Sequence, residues 1–202
     1  TRLLIPLGLH HILNSVPWFI LGDYTNPATG TVVHGDISRF LAGDKTAGAF
    51  MTGFFPIMMF ALPAAALAIW QEAKFKSRKL VGGLMMTAAL TSFLTGVTEP
   101  LEFAFMFVAF PLYVIHALLT GTSLALVNAI GIKDGFGFSA GLFDYLLNFN
   151  IATKPLLIIP IGLAYAALYY FLFRFVIRKW NLKTPGREDD ESESLVEADT
   201  SA

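Results

Sequence analysis

Long apolar runs alternate along this chain with short polar or basic ones. Residues 46–70 are uncharged over 25 positions, enough α-helix to cross roughly 30 Å of hydrocarbon. Pro56 and Pro63 are expected to kink or split that stretch. Residues 80–98 are another 19 uncharged positions, ending at Glu99. Residues 103–132 are uncharged apart from His116 and are interrupted by Pro111. Residues 155–173 form a further apolar 19-mer. Residues 3–21 are apolar too, but Pro6, Gly8, His10, His11 and Pro17 interrupt them. They predict a helix end followed by a bent element rather than a plain span. Residues 22–45 are polar and turn-rich and read as a loop. Residues 72–79 read as a short basic loop, and residues 133–154 as a mixed loop with Gly135, Gly137 and Gly141. From Pro185 the chain is acidic and nearly free of apolar residues, so it is expected to be disordered or a linker.

Composition turns this pattern into a fold class. The 202 residues are 55% hydrophobic and 14% charged, against roughly 25% charged in soluble domains. Mean hydropathy is +0.61. The expectation is an all-α membrane protein, a multi-span helical bundle. The net charge of −1 hides a split, because seven of the 15 acidic residues lie in residues 188–199. The basic residues sit in short loops between apolar runs, so no nucleic-acid partner is expected. Without cysteine, this chain offers no disulfide, thiolate metal site or thiol catalysis. No cleavable signal is visible and the first residue is Thr, so the chain reads as a fragment that begins inside a longer membrane domain.

The basic loops constrain topology. Clusters at 74–79 and 174–183 both favour the cytoplasm. Three full crossings between them would place them on opposite sides. The preferred solution is a re-entrant hairpin whose tip is Thr98-Glu99-Pro100. Residues 80–98 enter, 101–110 return, 111–132 cross outward and 155–173 cross back.

The tip carries the sharpest chemical signal, in Gly96-Val97-Thr98-Glu99-Pro100-Leu101-Glu102-Phe103. A carboxylate kept at membrane depth is a site hypothesis. Broken backbone there is tolerated only inside protein or along a cavity. Glu99 can accept bidentately from adjacent sugar hydroxyls; its bland alternative is a helix-break residue satisfied by backbone N–H groups. Glu102 reads as structural. His10 and His11 are adjacent, so on an unbroken helix only one faces a site, and a pair of interfacial histidines is the alternative. Asn14, four residues from His10, extends its polar face. Metal binding is not expected, because the His pair lacks further ligands at suitable spacing. Arg2, at the edge of an apolar run, reads as an interfacial snorkelling residue, with a sugar-hydroxyl donor as the alternative. Trp18, Trp70 and Trp180 sit near segment ends, as an aromatic belt requires. His34 reads as structural.

Several stretches together resemble the membrane component, enzyme IIC, of the bacterial sugar phosphotransferase system, in its glucose and N-acetylglucosamine branch. They are Ile5-Pro6-Leu7-Gly8-Leu9-His10-His11, the His34-Gly35-Asp36 loop and Gly53-Phe54-Phe55-Pro56-Ile57-Met58-Met59-Phe60. Gly96-Val97-Thr98-Glu99-Pro100 and Leu182-Lys183-Thr184-Pro185-Gly186-Arg187-Glu188-Asp189 complete the set. The resemblance covers nearly the whole chain. It implies that residues 1–182 are the C-terminal, substrate-binding half of a membrane-embedded IIC domain. It further implies that residues 183–202 are a cytoplasmic acidic linker towards a IIB domain, whose phosphocysteine is the phosphoryl donor. In such proteins the Thr-Glu-Pro glutamate and the Gly-Leu-His histidine bind sugar, here Glu99 and His10. Arg2 joins them, and the expected substrate-binding set is Glu99, His10, Arg2, Thr98, His11 and Asn14. Glu99 and His10 are also the candidate proton acceptors. The resemblance further implies a multi-pass bacterial inner-membrane protein with a cytoplasmic C-terminus, contact with membrane lipid, a homodimer and no cofactor. Residues 12–19 and 53–60 resemble N-acetylglucosamine carriers more than glucose carriers, with the glucose carrier as alternative. The expected activity is sugar translocation coupled to phosphorylation at the 6-hydroxyl. An ion-coupled sugar transporter and a sugar-binding receptor or scaffold are the other classes weighed.

Overall fold

A computed structural model of the chain describes residues 2–187. It is mostly helical. A 3-10 turn (Arg2–Leu7), α1 (His10–Ser15) and a wide π-type turn (Val16–Ile20) make up the first segment. The break falls at Gly8, whose φ of +68° suits glycine. Next come β1 (Asp23–Thr25), β2 (Val32–His34) and α2 (Gly35–Leu41). Residues 22–45 are therefore more ordered than a plain loop. The strands pair antiparallel, with Asp23 opposite His34 and their side chains 2.7 Å apart.

Residues 46–53 are not helical, so the predicted crossing over 46–70 begins late. The cause is Asp36, whose carboxylate accepts from the N–H groups of Gly48 (2.8 Å) and Phe50 (2.9 Å) and so ties this stretch into a turn. The helical part is a π-type segment, Pro56–Ala61, running into α3 (Leu62–Glu72). Leu62 N–H bonds to Ile57 O, five residues back. The register shift thus falls one residue before Pro63, which has no N–H to donate.

Next follow α4 (Arg78–Thr95), α5 (Glu99–Met106), α6 (Phe110–Ile130), α7 (Leu142–Asn148) and α8 (Ile158–Lys179). α7 lies inside what reads from sequence as a loop. Left-handed glycines cap α4 at Gly96 (φ 73°) and α6 at Gly131 (φ 77°). Pro100 and Pro111 stand in the first turns of α5 and α6, where a missing N–H costs nothing. Among the described helices, two are long and apolar enough to cross a membrane: Phe110–Ile130 and Pro155–Lys179. The apolar segment Pro56–Glu72 is shorter.

Contacts between helices order the bundle. The π-type segment and α3 run alongside α8, with Gly162 against the Phe60 ring and Tyr170 Oη donating to Gln71 Oε1 (2.5 Å). Ser92 Oγ of α4 donates to Met58 O (2.5 Å), and Trp70 Nε1 donates to Arg78 O (3.0 Å), so α3 and α4 are antiparallel. Two apolar clusters result. One gathers Leu62, Ile69, Leu101, Phe105, Leu112, Tyr113, Tyr169 and Phe173. The other gathers Phe40, Met51, Phe55, Ile132, Phe136 and Tyr145. Leu80, Leu84 and Met86 on α4 and Phe171 and Phe175 on α8 stay exposed, an outward apolar face suited to lipid.

The two basic clusters meet at one end. Glu72 Oε1 accepts from Arg174 Nε (2.7 Å), and its Oε2 accepts from Arg178 Nε (2.8 Å). The first residues of the expected tail also pack here. Thr184 is buried, Lys74 N–H donates to Gly186 O (2.8 Å) and Arg187 Nη1 donates to Glu72 O (3.1 Å). The remainder of the expected acidic linker lies outside the described residues.

Candidate functional site

The site is built where the chain breaks. α4 stops at Gly96, and α5 starts at Glu99 with two carboxylates in its first turn. A helix N-terminus favours negative charge, so this break is a suitable place for them. Glu99 is exposed, and its Oε2 accepts from Thr98 N–H (3.1 Å). The bent segment at the start of the chain lies across this break and closes a cavity of about 270 Å³.

All six residues singled out in the sequence line that cavity: Arg2, His10, His11, Asn14, Thr98 and Glu99. Two details differ from expectation. His10 and His11 both reach it, because the chain enters α1 from the Gly8 break; their rings lie 3.9 Å apart. Arg2 is no snorkelling surface residue. It is 7% exposed, its Nη1 donates to Glu102 Oε1 (2.6 Å) and to Thr98 Oγ1 (3.2 Å), and its guanidinium lies 5.3 Å from the Phe54 ring centre. A buried cation needs such a partner.

The rest of the lining is largely aromatic, and its phenylalanines were not legible as site residues. It holds Trp18, Phe54, Met58, Phe136, Phe138 and Ser139. Trp18 packs edge-on against Phe136 at 5.3 Å and donates its indole N–H to Phe50 O (3.2 Å), which fixes its plane. Phe136 and Phe138 come from the Gly-rich loop before α7. Asp144 holds that loop by accepting from Gly137 N–H (2.8 Å) and Ser139 N–H (3.2 Å). A cavity lined by carboxylate, guanidinium and imidazoles together with flat apolar rings suits a hydroxylated ring compound, whose edges hydrogen-bond and whose faces stack. A larger groove of about 600 Å³ lies between α3 and α4. Its lining is apolar apart from Arg78 and Lys79 at the rim, and no carboxylate lines it.

Asp134 anchors the Gly-rich loop from below. Its carboxyl is fully buried; Oδ1 accepts from Gly135 N–H (2.8 Å), and Oδ2 has no partner among the described residues. Burial pushes this carboxyl up to about 7, and the charge of Asp144 adds to the effect. The folded chain therefore keeps a proton that the unfolded chain releases near pH 4. Stability should fall as pH rises from about 4 towards 7 and stay lowered above that. Burial raises Asp44 and Glu72, but hydrogen bonds from Thr46 and Arg39 at Asp44 and from Arg178 and Arg174 at Glu72 outweigh it and lower both, so their contribution is already complete above the ordinary carboxylate range. Melting temperature is expected to be lower at pH 8 than at pH 5, and Asp134→Asn should flatten that difference. An unchanged difference in the variant would remove Asp134 as its source.

A model of the family described as "Phosphotransferase system, EIIC" matches residues 1–121. The chain is 61% identical over 198 residues to the N-acetylglucosamine-specific EIIC component of Streptomyces coelicolor, covering 98% of this chain and 47% of that protein. It is 55% identical to the N-acetylglucosamine-specific EIICB component of Bacillus subtilis, covering 98% of this chain and 43% of the relative. It is also 55% identical to the N-acetylglucosamine-specific EIICBA component of Escherichia coli K12, covering 97% and 31%. The chain thus spans less than half the length of the curated relatives it matches.

Proposed function

The chain belongs to the phosphotransferase system EIIC family, and on that premise we propose that it is the sugar-binding half of a carrier that translocates N-acetylglucosamine for phosphorylation. The observation that carries the proposal is the single cavity that gathers Glu99, His10, Arg2, Thr98, His11 and Asn14 together with aromatic side chains. The N-acetylglucosamine specificity of these relatives supports that sugar over glucose. Glu99 accepts from adjacent sugar hydroxyls, while His10 and Arg2 supply donors. Trp18, half-buried at the cavity, offers a ring face.

The phosphoryl donor is the phosphocysteine of a cytoplasmic IIB partner. The S–P bond breaks, a bond forms between phosphorus and the sugar O6, and the hydroxyl proton passes to a base, Glu99 or His10. The sugar leaves as its 6-phosphate. What this chain contributes is chiefly positioning.

The membrane arrangement belongs to the same proposal. Residues 1–182 lie in the bacterial inner membrane as a multi-span bundle, and residues 183–202 lead into the cytoplasm. The chain reverses in a re-entrant hairpin whose tip is Thr98-Glu99-Pro100, where α4 has ended and α5 begins. Packing of Phe105 on Phe173 (5.4 Å) supports a return of α5 towards the basic end, and the Glu72 bridges to Arg174 and Arg178 support a common side for both basic clusters. A homodimer in lipid completes the reading.

The test is transport by the full-length carrier in vesicles supplied with phosphorylated IIB. Sugar 6-phosphate inside is the expected product, with glucose a weak competitor of N-acetylglucosamine. Free sugar inside would instead place the protein among ion-coupled transporters. No sugar-dependent uptake would leave a receptor.

A further inference from the structure

The Arg2–Glu102 pair is backed by two side chains that do not line the cavity. His116 Nε2 lies 2.9 Å from Glu102 Oε1, and its Nδ1 lies 2.9 Å from Tyr169 Oη. An ionised carboxylate only accepts, so Nε2 carries the hydrogen. Nδ1 is then left to accept from the Tyr169 hydroxyl. Glu102, His116 and Tyr169 are all 0% exposed, and they come from α5, α6 and α8. Arg2 is also held through its backbone, whose carbonyl accepts from the Tyr113 hydroxyl. Two donors thus converge on Glu102 Oε1, and three helices fix where it stands.

The far side of Arg2 is different. Nε and Nη2 are buried and have no partner among the described residues. Together they form one complete donor fork, the shape that grips a pair of oxygens. A buried donor left unpaired is costly, and such a cost is explained when a ligand supplies the acceptor.

We propose that Glu102 is a positioning residue of the cavity: it holds Arg2 by Nη1, with His116 and Tyr169 behind it, so that the Nε–Nη2 fork is kept for oxygens of the bound sugar. The proposal rests on the sugar-site reading above. Glu102 does not touch the sugar; its effect on affinity passes through Arg2.

The test is calorimetric titration of N-acetylglucosamine into the full carrier chain, for wild type and variants. Tyr169→Phe removes one hydroxyl and keeps the ring stacked on Phe173 at 5.3 Å. It is expected to weaken binding roughly 3- to 10-fold. Glu102→Gln is expected to weaken it by about 10-fold or more. After Arg2→Ala, neither change should weaken binding further. Should Glu102→Gln not fold, the Tyr169→Phe cycle with Arg2→Ala carries the test alone. Additive losses in the double variants would overturn the proposal, as would wild-type affinity in Tyr169→Phe and Glu102→Gln. Glu99→Gln separates the two readings. If it loses binding while the network variants do not, the sugar site stands and the positioning role falls. If Glu99→Gln binds normally, the sugar site falls and the proposal falls with it.

Discussion

Glu99→Gln is expected to abolish tight binding of N-acetylglucosamine while leaving the fold intact. Glu99 stands at the first turn of α5, exposed towards the cavity, and its hydrogen bond among the described residues is the one it accepts from Thr98 N–H. Glutamine keeps the shape and one acceptor oxygen, so that local bond can survive. What disappears is the charge and the second acceptor. A charge-assisted hydrogen bond is worth about 1.5–3 kcal/mol, and each 1.4 kcal/mol is about tenfold in affinity. A carboxylate gripping two sugar hydroxyls would therefore lose roughly 100-fold or more on neutralisation. Calorimetry reads the affinity and a thermal melt reads the fold. Near-wild-type affinity would take Glu99 out of the site and overturn the sugar-site reading built on it; a collapsed melt would make it structural.

Gly141→Ala is expected to do the reverse, damaging both the fold and the site through a single methyl group. The backbone at Gly141 is extended (φ −115°, ψ 179°), so alanine suits the torsions. Space does not allow it. An added Cβ would lie 2.5 Å from the Thr95 carbonyl carbon and 2.6 Å from Leu94 O, both backbone atoms at the end of α4. Gly96 faces it under the same constraint, with an added Cβ 2.8 Å from Ala140 N and C and a φ of +73° besides. Here the Gly-rich loop seats against the α4 break, and Ser139 Oγ donates to Gly96 O (2.9 Å) across the seam. Phe138 and Ser139 thereby line the same cavity as Thr98 and Glu99. Overpacking of this kind costs about 1–3 kcal/mol. Moving one wall by about 1 Å should lower sugar affinity at least roughly tenfold. Gly83→Ala is the contrast, since an added Cβ there meets nothing within 4 Å in the interior of α4. That change should raise stability by up to about 1 kcal/mol and leave affinity alone. Equal melting temperatures for the two variants would refute the close-packed seam.

Much of the candidate site's lining was legible before any fold. Gly-Val-Thr-Glu-Pro predicts a helix end, a turn and a new helix start, and the chain breaks there. The interrupted pattern around Gly8 predicts a bent element, and both histidines enter the cavity from it. The pattern misled where a polar side chain reorganised an apolar run. Residues 46–53 look like the start of a crossing, yet Asp36 captures their N–H groups. The aromatic wall was invisible because Phe136 and Phe138 sit in a loop whose only local signal is its glycines.

What the sequence by itself determined is the punctuation: the helix breaks at Gly8, Gly96 and Gly131, which stretches are apolar and which residues are unsuited to hydrocarbon. These are local properties, set by backbone torsions and side-chain hydration within a few residues. The tertiary structure alone decided the pairings. Arg2 meets Glu102 100 positions away, and His116 meets Tyr169 53 positions away. From sequence, His116 is an isolated polar residue in an apolar run, and Arg2 a charge at the edge of one. Periodicity says which residues are buried but carries no information on which buried groups meet. Only the packing of α5, α6 and α8 brings those donors and acceptors within reach of each other, and the cost of an unpaired buried polar group then selects the arrangement in which they are joined.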